Sequence, residues 1–252
     1  SEVGLGGVIL VDYYVPEKKY ENNVQSPVQV KRLCQSVHNL ASKPLVFIDQ
    51  EGGKVRRLKQ DKGFQNFPSQ LQFAKLSKAA KIAACNSCFR ELKDLGIDYN
   101  LAPVIDLNYN PENTDIGMVE RSYSDQPDEV RESVKVLAQV AKDYGLKLCL
   151  KHFPGVGGSK QNSHIEFTDL SDSITEVQEN LFYELAPKIP SETILISHGV
   201  VNQWDPGIPM TLSRPGIARL RAKLPNALLI SDDLQMQGMQ LKHKTGDASL
   251  RG

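Results

Sequence analysis

Six short runs rich in valine, isoleucine and leucine punctuate the chain, at residues 7–12, 45–49, 100–106, 148–152, 193–198 and 227–232. Each is continuously apolar rather than alternating, the pattern of a strand buried on both faces. The segments between them read as helices. Residues 27–41, 69–95, 127–144 and 173–185 carry apolar side chains at three- and four-residue spacing. Pro127 suits a first helical position and Gly145 a C-terminal cap. Strands alternating with helices predict parallel strands joined by crossovers.

The way the runs end narrows this further. Five finish on an acid or a histidine (Asp12, Asp49, Asp106, His198 and Asp232), and the sixth ends in Lys151 and His152. Ionisable groups at the carboxyl ends of parallel strands are where α/β proteins keep their active sites. One such residue merely marks a strand end; six in succession point to a site. No G-x-G-x-x-G follows the first run, which counts against a dinucleotide-binding open sheet. The expected fold is therefore an α/β TIM-type barrel. No repeat, low-complexity tract or linker divides residues 1–252, so one domain is expected.

Composition excludes several classes. The 252 residues carry 30 basic and 30 acidic side chains, so the basic excess of a nucleic-acid binder is missing. The longest apolar stretch, residues 8–11, falls far short of the roughly 20 residues a membrane span needs. Four cysteines are too few and too scattered for a disulfide scaffold. Cys85 and Cys88 form a C-x-x-C within a helical run, without a second pair at zinc-site spacing, and read as thiols near the core. No signal-peptide pattern is visible, and the cytoplasm is the expected compartment.

Three segments can carry chemistry. Asp49-Gln50-Glu51-Gly52-Gly53-Lys54-Val55-Arg56-Arg57 puts two glycines straight after a strand, allowing a tight turn with close backbone approach to a ligand. Its arginines are planar fork donors suited to a polar ligand. Lys151-His152-Phe153-Pro154-Gly155-Val156-Gly157-Gly158 opens a loop running to Asn162-Ser163-His164, and histidine is the side chain best poised to move protons near neutral pH. Ser231-Asp232-Asp233 ends a strand in adjacent carboxylates, one of which can serve as a covalent nucleophile. A metal site built from His152, His164, His198 and Asp232 competes with this reading. Barrel metallohydrolases begin with paired histidines on an early strand, and the early runs here contain none, so no metal is expected.

These motifs occur in the order found in glycoside hydrolase family 3: Asp49-Gln50-Glu51-Gly52-Gly53, Lys151-His152-Phe153-Pro154-Gly155, Asn162-Ser163-His164, and Ser231-Asp232-Asp233-Leu234 with Met236. Ala102-Pro103-Val104-Ile105-Asp106 and Glu120-Arg121-Ser122 also match, and the chain most resembles the bacterial β-N-acetylglucosaminidases of peptidoglycan recycling. The resemblance implies a TIM-like barrel that removes terminal N-acetylglucosamine with retention of configuration, without cofactor, on a small carbohydrate substrate. Asp232 is similar to the family's nucleophile and His164 to its acid/base histidine. Asp49, Arg57, Arg121, Lys151 and His152 fall on sugar-binding positions. Two departures stand out. Val156 replaces the histidine of a Gly-His-Gly loop, and Asn162 replaces the aspartate that partners the acid/base histidine. A weakened or non-hydrolytic sugar-binding relative is the alternative these imply, with a β-glucosidase-like member as a third. Bacterial members normally have a further strand at either end, so residues are expected to be missing from one or both ends of this chain, with a genuinely shortened fold as the alternative.

Overall fold

The computed structural model describes residues 4–13, 22–160 and 168–236. Strands β1 (Gly7–Leu10) and β2 (Leu45–Ile48) lead into a hairpin, β3 (Gln50–Gly52) with β4 (Val55–Arg56). They are followed by β5 (Tyr99–Asn100), β6 (Lys147–Leu148), β7 (Leu150–Phe153), β8 (Thr193–Ile196) and β9 (Leu228–Ser231). Outside the antiparallel hairpin every pairing is parallel, as alternation with helices requires.

Four strands form one sheet in the order β1-β2-β5-β6 and three form another, β7-β8-β9. The two meet where the chain after β5 runs beside the chain between β6 and β7. Cys149 N donates to Ala102 O (3.0 Å), Lys151 N to Pro103 O (3.2 Å) and Ile105 N to Lys151 O (2.8 Å). The six expected strands thus follow one another in chain order, with β6 and β7 sharing the fourth place. Among the described residues β1 and β9 do not pair with each other, so the sheets are not closed into a barrel. Burial follows from this. β7 and β8 are buried at every position, whereas on the outermost strands Ile9 is 45% and Leu228 47% exposed.

The helices are α1 (Pro27–His38), α2 (Gln70–Ala74), α3 (Lys78–Leu95), α4 (Pro127–Tyr144), α5 (Glu176–Leu185) and α6 (Arg214–Lys223). The sequence periodicity predicts α4 to the residue, because Pro127 opens it and Gly145, at φ 59°, closes it in the left-handed region. The single helix expected over 69–95 is two. Ser77 accepts a hydrogen bond from Ala80 N (3.3 Å) and so starts a new helix, since a serine side chain competes for backbone groups that the preceding turn would use. The periodicity did not reveal α6, whose only buried residues are Gly216 and Leu220.

All four cysteines are free and buried. Burial pushes the Cys34 thiol up to about 11 and that of Cys85 to about 12, which makes them poor nucleophiles. No described helix is long and apolar enough to cross a membrane.

Phe153, at the end of β7, ties the core to the region where the strands end. It meets Phe182 of α5 edge-on (centroids 5.3 Å apart, 83°) and lies 6.4 Å from the Trp204 ring. Phe182 is fully buried, while Val177 on the same helix is 46% exposed. Phe182→Ala is expected to lower stability by about 3–5 kcal/mol in urea unfolding, against less than about 0.5 kcal/mol for Val177→Ala. Equal losses would mean that α5 does not anchor this part of the core.

Candidate active site

The site begins where β2 ends. After Asp49 the chain makes the β3–β4 hairpin, and Gly52 (φ 101°) has no alternative there: a Cβ would lie 2.0 Å from Pro68 O. The buried amides of Gln50 and Asn100 brace this turn. Asn100 accepts from Gln50 N and donates to Gln50 O, both at 2.9 Å, while Gln50 Oε1 accepts from Arg57 N (3.1 Å) and Leu58 N (3.0 Å). The hairpin thereby returns Arg57 to the strand end, where its Nη2 lies 3.0 Å from Asp49 Oδ2.

Lys151, on β7, sits at the centre with its side chain 3% exposed. Its ammonium lies 2.8 Å from Asp49 Oδ1 and 2.6 Å from Glu51 Oε1. Arg121 grips Glu51 with both arms, Nε to Oε2 at 2.7 Å and Nη2 to Oε1 at 2.8 Å, and its Nη1 donates to Asp115 O at 2.8 Å. Buried Gln70, the first residue of α2, seats that segment by donating to Val104 O (2.7 Å) and Arg121 O and accepting from Val104 N (2.9 Å). Arg121 Nη2 also lies 3.0 Å from His152 Nε2, and His152 Nδ1 lies 2.7 Å from Asp106 Oδ2. At the opposite end Asp12 faces Arg57 Nη1 (3.6 Å) and Lys59 Nζ (2.7 Å).

Acid and base therefore alternate from Lys59 through Asp12, Arg57, Asp49, Lys151, Glu51 and Arg121 to His152 and Asp106. Burial opposes ionisation of Asp49, but Lys151 and Arg57 outweigh it and hold the carboxyl well below the usual carboxylate range. Glu51 is likewise held down to about 2, against its burial, by Arg121 and Lys151. Burial also disfavours the charged forms of Arg121 and Lys151; Glu51 keeps the first protonated, Asp49 and Glu51 the second.

Of the residues singled out from the sequence, Asp49, Arg57, Arg121, Lys151 and His152 thus lie in one connected cluster. Asp232 directly follows β9, half-buried, with its N–H bonded to Ile196 O (2.9 Å). Burial pushes the Cys149 thiol up to about 12. His164 and Asn162 lie outside the described residues. His198 stands apart: its Nδ1 meets Thr211 Oγ1 at 2.8 Å and its Nε2 meets Asp233 O at 2.9 Å, bracing the turn after β9. Among the described residues no group of three or more His, Cys, Asp or Glu side chains is arranged to hold a metal ion. The site-residue reading from the sequence lacks Glu51 and Asp106. Asp106 is visible there as a strand-end acid; Glu51 lies inside a quoted motif, but its role depends on an arginine seventy positions away.

The family model of the glycosyl hydrolase family 3 N-terminal domain matches residues 1–252. The chain belongs to glycosyl hydrolase family 3, through that domain. It is 29% identical to a β-hexosaminidase of Pseudomonas aeruginosa over 239 residues, covering 92% of this chain and 69% of the relative. Among solved structures it resembles a family 3 β-N-acetylglucosaminidase from Paenibacillus (TM-score 0.85, 26% identity), over 98% of this chain and 46% of that one. It also resembles a β-N-acetylhexosaminidase from Beutenbergia cavernae (TM-score 0.79, 25% identity), over 95% of this chain and 72% of that one.

Glu51→Gln is expected to cost about 3–5 kcal/mol, because it strips buried Arg121 of its carboxylate partner and leaves Lys151 only Asp49, which Arg57 also uses. The loss has a pH signature. The Glu51 carboxyl drops from its ordinary 4.5 to about 2 on folding, so its contribution is full above 4.5 and disappears as pH falls from there toward 2. Thermal melts between pH 5 and pH 2.5 should therefore fall more steeply for the parent than for Glu51→Gln. Parallel declines would mean that Glu51 is not held ionised by this cluster.

Proposed function

We propose that this chain forms the catalytic domain of a retaining exo-β-N-acetylglucosaminidase acting on cell-wall-derived glycosides. The observation that carries the reading is the buried cluster of Asp49, Arg57, Arg121, Lys151 and His152 at the carboxyl ends of parallel strands, in a family 3 domain. Fixed cationic and hydrogen-bonding groups of this kind orient sugar hydroxyls, and orientation lowers the barrier. The names borne by the Pseudomonas and Paenibacillus relatives support the N-acetylglucosaminide. The six parallel strand positions support reading the fold as an arc of a TIM-type barrel, and four free cysteines support a reducing, cytoplasmic setting.

In this reading Asp232 attacks the anomeric carbon as the glycosidic bond breaks, and the imidazolium of His164 gives its proton to the departing oxygen. The neutral histidine then takes a proton from water, whose oxygen displaces Asp232 from the sugar and restores both groups. Two displacements return the original configuration. A purified chain should release nitrophenol from a nitrophenyl β-N-acetylglucosaminide faster than from the matching glucoside, and Asp232→Asn should lower turnover by at least about 10³-fold. Undiminished turnover in Asp232→Asn would remove Asp232 from the mechanism, and a preference for the glucoside would favour a β-glucosidase-like relative.

Asn162 motivates a second reading, a sugar binder with little or no hydrolysis. Asparagine offers no negative charge to a neighbouring imidazolium, and its amide can flip to hold the wrong tautomer, a change worth about 10⁴ in a Ser-His-Asp triad. Asn162→Asp is expected to raise turnover, more on a natural disaccharide than on a nitrophenyl glycoside, whose leaving group needs little protonation. Equal or lower activity on both substrates would mean that His164 is not the proton donor. Calorimetry with N-acetylglucosamine separates the readings, since binding without cleavage favours the binder.

A further inference from the structure

We infer that Asp106 is a positioning residue: it fixes His152 as the neutral tautomer protonated on Nδ1, so that the Nε2 lone pair holds the Arg121 guanidinium in place for the sugar. The inference rests on the sugar-cleaving reading for its purpose, but the arrangement itself follows from donor and acceptor chemistry.

Arginine carries only donors and does not lose its proton in proteins. Nη2 of Arg121 lies 3.0 Å from His152 Nε2, so Nε2 must accept. The proton of the neutral ring then belongs to Nδ1, 2.7 Å from Asp106 Oδ2. The other tautomer would set N–H against N–H at Nε2 and a lone pair against a carboxylate at Nδ1. An imidazolium would repeat the first of these clashes beside a cation.

Asp106 is itself held firmly enough to impose this choice. It is fully buried, and its oxygens also accept from Val156 N (Oδ1, 3.0 Å) and from His152 N (3.3 Å to each). Gly157 packs directly beside it, where a Cβ would fall 3.4 Å from Asp106 Cβ and 2.1 Å from Leu107 O.

The effect is read out at Arg121. Its Nε–H and one Nη2–H go to Glu51, the second Nη2–H goes to His152, and one Nη1–H goes to Asp115 O. Among the described residues the remaining Nη1–H has no acceptor, and the plane of the guanidinium, clamped by Glu51 and His152, determines where it points. Both ring nitrogens of His152 are engaged within the protein, Nδ1 with Asp106 and Nε2 with Arg121.

The test uses the whole chain labelled with ¹⁵N-histidine and long-range ¹H–¹⁵N correlation at pH 7, with the His152 signals identified by their loss in His152→Gln. Wild-type protein without substrate is expected to show Nδ1 protonated and Nε2 unprotonated. A proton on Nε2, alone or with one on Nδ1, overturns the inference, and this measurement needs no variant of Asp106 to fold. In Asp106→Asn the expected result is a mixture of tautomers, with the KM for a nitrophenyl β-N-acetylglucosaminide raised about 10-fold or more and kcat changed less. A shifted tautomer with unchanged KM also overturns it. If the wild-type chain turns over no substrate, the hydrolase reading fails by itself; the tautomer measurement stands, and the Kd for N-acetylglucosamine takes the place of KM.

Discussion

A single buried ammonium holds this site together. Lys151 reaches from β7 to two carboxylates, Asp49 at the end of β2 and Glu51 on the hairpin that follows it. An unpaired charge at that depth is prohibitively costly, so each of the three groups is tolerable only while the others are in place. The contact spans the two sheets, because β2 belongs to one and β7 to the other. Polar chemistry thus registers the sheets at their carboxyl ends, while the apolar packing of Phe153 against Phe182 ties β7 to α5.

Arg121 extends the same logic to a long loop. The segment between β5 and α4 has little regular structure, yet it places a guanidinium against Glu51 through two donors and is seated from below by Gln70. Irregular backbone on the strand-end face is tolerable because its polar groups find partners of this kind. Asn113 does similar work nearby, donating to Val156 O and Ser159 O and accepting from Asp115 N and Ile116 N. The segments following β5 and β7 are cross-braced by these bonds.

Much of this is legible in the sequence. The six apolar runs mark the six strand positions, since a strand buried on both faces has little freedom in composition. α4 was legible because both its ends carry residues with backbone requirements. Periodicity cannot register a cap, so the break at Ser77 escaped it. The run 100–106 pairs less regularly than expected, with a ladder only at Tyr99–Asn100 and a bridge at Val104, because Pro103 has no N–H to donate. Ordered motifs pointed to Asp49, Arg57, Arg121, Lys151 and His152, since glycine turns and strand ends leave local marks. The role of Glu51 was not legible, although it lies within such a motif, because its partners Arg121 and Lys151 arrive only through the fold. That the sheets do not close among the described residues accords with the expectation that strands are missing at one or both ends, an expectation carried by the resemblance and not by any local pattern.

The alternation of acid and base has an effect on how a ligand arrives. Lys59, Arg57, Lys151 and Arg121 face Asp12, Asp49, Glu51 and Asp106, four cations to four anions, around the His152 ring. Such a chain is strongly polar at contact distance, but its fields cancel a few ångströms away. An uncharged ligand approaching this cluster would meet directional donors and acceptors with little long-range pull from it, and added salt would have little of its field to screen.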